Sequence, residues 1–101
     1  MLEEVIWTAA AEHHFQQAYD RLENLEEGRG ELLYHAVDEA LSLLRRFPEM
    51  ATRFGGLYRR WLIRKSKYGL FYRVHGKRLV VMALLDLRRD PRSIRRELGL
   101  P

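Results

Sequence analysis

Guanidinium groups are the reactive side chains this sequence supplies in quantity, and they are unevenly spread. Fifteen of the eighteen basic residues are arginine. Residues 1–50 carry four basic and eleven acidic side chains, a net of −7; residues 51–101 carry fourteen basic and three acidic, a net of +11. Arginine presents a planar fork of donors suited to bidentate contact with phosphates and carboxylates. Like charges gathered at this density repel one another, so the second half of the chain expects an anionic partner. The set comprises Arg59, Arg60 and Arg64 in LYRRWLIR (57–64), Lys65 and Lys67 just after it, Arg73 in YGLFYRV (68–74), and Arg88-Arg89 in LRRDP (87–91).

Other catalytic patterns are missing. Cysteine is absent, which excludes disulfides, thiolate metal sites and a cysteine nucleophile. Gly28, Gly30, Gly55 and Gly56 lack the spacing and the strand-to-helix setting of a phosphate-binding loop. His13 and His14 are adjacent and diverge by about 100° on a helix, with no partner at i+4. No metal and no cofactor is therefore expected, and all four histidines read as exposed or hydrogen-bonded. Ser42, Ser66 and Ser93 sit in no nucleophile-like setting. Asp86 and Asp90 bracket the paired arginines; they suit acid–base chemistry or, more simply, the orientation of Arg88 or Arg89. Asp90-Pro91 also reads as a turn or helix start.

The elements that must position these groups follow from periodicity. LEEVIW (2–7) reads as a strand, after which Thr8 can cap a helix with apolar residues at 11, 15, 18, 19, 22 and 25. GRG (28–30) suggests a tight reversal. Leu32, Leu33, Ala36, Val37, Ala40, Leu41 and Leu44 then form a second helical stripe, closed by Arg45-Arg46 and stopped at Phe47-Pro48. Strands are expected at 57–64, 68–74 and 78–86, with turns at 65–67 and 75–77, and a short frayed helix from Pro91. Strand 78–86 is apolar at nearly every position, as an interior strand covered on both faces would be. With 47% hydrophobic and 32% charged residues over 101 positions, one α+β domain spanning 1–101 accounts for the chain. Its N-terminal strand precedes an antiparallel helix hairpin packed on a small antiparallel sheet, and a short helix ends it.

The N-terminus is acidic and lacks the basic start and apolar middle of a secretory signal. The longest apolar run, Leu79–Leu85, is far short of the roughly 18–20 residues a membrane helix needs. A soluble, cytoplasmic protein without a membrane partner is expected.

Alternation within 57–64 places Arg60 and Arg64 on one face and Arg59, Trp61 and Ile63 on the other. If the helix hairpin covers the Trp61 face, Arg60, Arg64 and the end of strand 78–86 form one cationic, solvent-facing surface. Tyr58, Tyr68 and Tyr72 fall among these charges, where aromatics can stack on nucleotide bases; core or core-edge positions are the simpler reading for Trp61, Phe71 and Tyr72.

The order of elements, with RRFPE after the second helix, then RRWLIRKSKYGLFYRVHGKRLVVMALL and LRRDP, resembles the RelE/ParE superfamily of toxins from bacterial type II toxin–antitoxin pairs, over most of the chain. The RelE-like branch implies ribosome-dependent cleavage of messenger RNA, here through Arg60, Arg64, Arg73 and Arg89. Against that branch, Leu62 and Gly69 stand where further basic residues are expected, and no tyrosine follows Tyr72. The ParE-like branch fits better. It implies growth inhibition through binding of DNA gyrase, a role in plasmid stabilisation, and Arg60, Arg64, Arg73, Arg88 and Arg89 as target contacts. Both branches imply a hetero-oligomer with a cognate antitoxin, whose acidic and apolar segment would wrap the hairpin at Phe15, Tyr19, Leu22 and Trp61. A relative that retains only antitoxin or nucleic-acid binding is the third reading.

Overall fold

The computed structural model describes residues 1–101. Strand β1 (Glu4–Trp7) leads into helices α1 (Ala9–Leu25) and α2 (Arg29–Arg46), followed by β2 (Thr52–Phe54), β3 (Tyr58–Leu62), β4 (Tyr68–His75), β5 (Arg78–Asp86) and α3 (Pro91–Glu97). The strands form one sheet in the order β1-β5-β4-β3-β2. It is mixed: β1 runs parallel to β5 and all other pairs are antiparallel.

Local chemistry sets the helix ends. The Thr8 hydroxyl accepts from the Ala11 amide at 3.1 Å and caps α1. At the reversal Gly28 takes φ +92°, where a side chain would be strained. The reversal is shorter than GRG implied, because α2 already begins at Arg29 and Gly30 is helical and buried. A Cβ on Gly30 would come within 2.9 Å of the Tyr19 ring, so the missing side chain lets the two helices approach closely. With no side chain at Gly28 to cap α2, Glu23 on α1 does so from across the turn. Its Oε1 accepts from the amides of Gly28 (2.9 Å) and Gly30 (2.8 Å).

The hairpin packs on one sheet face. Ala11 and Ala18 of α1 and Leu33, Val37, Ala40, Leu41 and Leu44 of α2 join Ile63, Leu70, Tyr72, Leu79, Val81 and Leu84 in one buried cluster. The two-sided burial expected of β5 holds, and a bulge produces it. Phe71 lies opposite Ala83 and Tyr72 opposite Val81, leaving Met82 unpaired between them. The extra residue reverses the parity of the strand: Leu79 and Val81 face the hairpin before it, whereas Ala83 and Leu85 point to the opposite face after it.

That opposite face is not bare, which corrects the expected free cationic sheet. Tyr58, Phe71, Ala83 and Leu85 gather there with Ile94 and Leu98 in a second cluster, against which Phe54, Leu87 and Leu100 pack. An apolar face of this size requires cover, and α3 supplies it, pinned where the Tyr58 hydroxyl donates to the Leu98 carbonyl at 2.9 Å. The three tyrosines considered for base stacking are accordingly core residues, Tyr58 and Tyr68 at 7% exposure and Tyr72 at 0%.

Candidate functional site

Most arginines of the expected surface are held by their own local partners. Arg59 faces the hairpin side, and its Nη1 donates to the carbonyls of Glu49 (3.1 Å) and Ala51 (2.8 Å), so it clamps the loop between α2 and β2. Arg60 is exposed on the other face, its guanidinium 5.7 Å from the centroid of the Phe54 ring, which Arg95 of α3 also approaches at 5.9 Å. Arg73, half-buried, lies opposite Val80 in the register of β4 with β5.

Arg64 departs from the expectation. β3 ends at Leu62, Ile63 still packs on the hairpin side as Trp61 does, and Lys65 turns the chain with φ +58°. The Arg64 side chain reaches across to α2, with Nη2 3.5 Å from Glu39 Oε2. Arg60 and Arg64 therefore do not share one surface, and the single cationic patch is split among three settings: the β2–β3 edge, the flank of α2, and the end of β5.

The end of β5 is the most ordered of these. Asp86 accepts from the Arg88 amide (2.9 Å) and from Arg88 Nε (3.0 Å) and Nη2 (2.6 Å). Those bonds hold the Asp86 carboxyl down to about 2 and raise the guanidinium in turn. The Arg88 head remains 67% exposed, so it is aimed rather than buried. Arg89 turns the other way, donating to Ser93 Oγ at 2.6 Å and lying 3.4 Å from Glu97 Oε1 on α3.

Beside Arg89 lies a cleft of about 400 Å³ between α1, β5 and α3, lined by His14, Arg21, Tyr68, Asp86, Arg89 and Glu97 among others. Sequence reading did not bring His14 into this group, because only the folded chain sets α1 against α3. β1 ends opposite Val81; further along β5, the Leu84 amide takes His14 Nδ1 as acceptor at 3.4 Å. An accepting Nδ1 assigns the neutral imidazole its proton on Nε2, which faces Glu97 Oε2 at 3.6 Å. Burial lowers the His14 pKa, and Glu97 only partly restores it. With Nδ1 engaged and Nε2 protonated, this imidazole has no lone pair left to act as a general base.

A second concavity, of about 460 Å³, opens between the two long helices. Trp7, Phe15, Tyr34, Val37 and Leu41 make its apolar lining, and Glu12, Gln16 and Asp38 stand in its wall. Phe15 meets Trp7 edge-on at 5.8 Å and Tyr34 edge-on at 6.3 Å. Of the residues assigned to antitoxin contact, Phe15 lies in this groove. Tyr19 flanks Phe15 at 6.1 Å and donates its hydroxyl to Glu31 at 2.7 Å, a bond that pushes its pKa up to about 12. Leu22 and Trp61 pack, like Phe15, against the hairpin core but do not line the groove. Trp7, Tyr34 and Asp38 were not singled out from sequence. Phe15 and Tyr19 are one turn apart on α1, but nothing local says which residues of α2 and β1 they meet.

The profile described as the ParE toxin of the type II toxin–antitoxin system parDE matches residues 5–91. The chain belongs to the ParE toxin family. No curated protein matches it. Among solved structures it is similar to a chain of the chromosomal ParDE toxin–antitoxin system from P. aeruginosa, at 16% identity and a TM-score of 0.56, covering 82% of this chain and 94% of that one. This likeness extends to the fold: N-terminal strand, helix hairpin, mixed sheet and short C-terminal helix. Of the branches weighed from sequence, the ParE toxin is therefore the one this chain represents.

Proposed function

We propose that this ParE-family chain inhibits growth in the cytoplasm by binding DNA gyrase, and that a cognate antitoxin neutralises it by occupying the groove between α1 and α2. One observation carries the binding reading over a nuclease: the arginines do not converge on a common point. Arg60 lies over Phe54, Arg64 over Glu39, and Arg89 against Ser93 and Glu97. Cleavage at a phosphodiester requires donors aimed together at one developing charge, with a proton acceptor in reach. Leu62 and Gly69 offer neither, and His14 is already engaged. A binding protein needs only an anchor held in a fixed pose, and Arg88, splayed on Asp86 with an exposed head, meets that need.

The test is gyrase supercoiling in vitro alongside messenger RNA integrity on ribosomes. Inhibited supercoiling with intact RNA is expected, and Arg88→Ala should relieve the inhibition at least tenfold while the protein stays folded. RNA cleavage with normal supercoiling would overturn the proposal.

A further inference from the structure

The groove between α1 and α2 carries a charge opposite to that of the arginine-rich second half of the chain. Its lining joins three aromatic rings, Trp7, Phe15 and Tyr34, with two aliphatic side chains, Val37 and Leu41, and two carboxylates, Glu12 and Asp38. Neither carboxylate is in an ion pair, although six arginine or lysine side chains are paired with carboxylates elsewhere on the molecule. Glu12 sits in the first turn of α1 and Asp38 midway along α2, so the two acids come from different elements. Residues 1–50, which supply every lining residue, have a net charge of −7.

We infer that this groove is built for a segment that is apolar on one side and basic beside it, seating an arginine or lysine between the ring cluster and the Glu12 and Asp38 carboxylates. Aromatic rings attract cations through their negative faces, and carboxylates bind a guanidinium through paired charge-assisted hydrogen bonds. Val37 and Leu41 take the neighbouring apolar side chains, in the manner of an amphipathic helix laid in a groove. An acidic segment would bring like charge against two unpaired carboxylates and is disfavoured here. The inference rests on the reading of this groove as the antitoxin seat and deepens it, because it assigns the sign of the segment that enters. It also revises the expectation of an acidic and apolar antitoxin segment over the hairpin: the apolar part stands and the sign of the charge is reversed.

The probe is a pair of amphipathic 16-residue peptides with leucines on one face, one carrying arginines along the border of that face and the other carrying glutamates there. Binding is followed by Trp7 fluorescence in a Trp61→Phe background, at low and moderate salt. The arginine peptide is expected to bind about tenfold more tightly or better, as two partly exposed ion pairs imply. In Glu12→Gln/Asp38→Asn the preference should fall below about threefold, since each neutral isostere keeps shape and loses charge. Equal binding, tighter binding of the glutamate peptide, or no binding of either at millimolar concentration would overturn the inference. The cognate antitoxin separates the two levels. If Phe15→Ala weakens its binding while Glu12→Gln/Asp38→Asn does not, the groove reading stands and the charge assignment fails. If neither change weakens it, the groove reading itself fails.

Discussion

Replacing Tyr72 by phenylalanine tests whether the loop joining α2 to β2 is held as the structure indicates. The Tyr72 side chain is fully buried, and its hydroxyl donates to the Pro48 carbonyl at 2.6 Å. Phenylalanine keeps the ring and leaves that carbonyl without its partner, a loss of about 1.5 kcal/mol. In a domain of 101 residues this corresponds to a fall in Tm of about 6–12 °C. Burial pushes the phenol up from 10.0 to about 12, against the pull of the nearby Arg59 charge. A folded pKa above the unfolded one gives stability that is fully present below pH 10 and lost as pH rises toward 12. At pH 11 the wild type should have lost on the order of 1 kcal/mol by this route. Tyr72→Phe has no phenol to titrate, so the other tyrosines and lysines cancel in the comparison. The stability gap, measured by guanidinium unfolding, should be about 1.5 kcal/mol at pH 7 and clearly narrower at pH 11. A gap as wide at pH 11 as at pH 7, or no gap at pH 7, would refute the argument.

Glu23→Ala should cost about 1–2 kcal/mol in thermal unfolding, because Glu23 alone caps the amides of Gly28 and Gly30; Glu23→Gln, which keeps an acceptor, should cost clearly less. His14, with its pKa lowered by burial, makes the unfolded chain the better proton binder below about pH 6.5, so stability should decline as pH falls through that value toward the folded pKa. His14→Gln, which can still accept from the Leu84 amide, should flatten that decline in urea unfolding measured between pH 7 and pH 5.

The helices were legible because their apolar residues recur at helical spacing and each has a recognisable signal at its end. Thr8 caps α1 as its position suggests, and of the second stripe Leu33, Val37, Ala40, Leu41 and Leu44 are buried and Ala36 is half-buried, whereas Leu32 points to solvent. β2 was not legible, since Thr-Arg-Phe is too short to show alternation and gains strand character only by pairing with β3 at the sheet edge. The ends of β3 were overextended for a related reason: Ile63 and Arg64 continue the pattern of LYRRWL, but Lys65 adopts a left-handed turn that alternation does not register. Arg64, just before that turn, pairs with Glu39 on α2 rather than joining the expected surface. The role of α3 was hidden by composition. PRSIRRE is mostly charged, and only Ile94, followed by Leu98 and Leu100, shows that this helix covers apolar residues on the far face of the sheet. Of the candidate sites, the aligned Asp86–Arg88 pair could be anticipated from their separation of two residues, whereas the groove depends on three elements meeting and could not.

The charge asymmetry of the sequence acquires a spatial meaning once the groove is considered with the end of β5. A ligand that neutralised the +11 half alone would be acidic throughout, and it would then meet Glu12 and Asp38 unpaired if it continued over the hairpin. A partner that engages both regions must therefore change sign along its length, basic and apolar where it crosses Trp7, Phe15 and Tyr34, acidic where it reaches Arg88. Such a division has a consequence for specificity. A uniformly acidic tail could still be drawn to the arginines from a distance, but it would gain nothing from the groove, and salt would weaken it throughout. The apolar contribution of the groove is insensitive to salt, so a partner with the matching sequence of charges should remain bound at ionic strengths that release a merely acidic competitor.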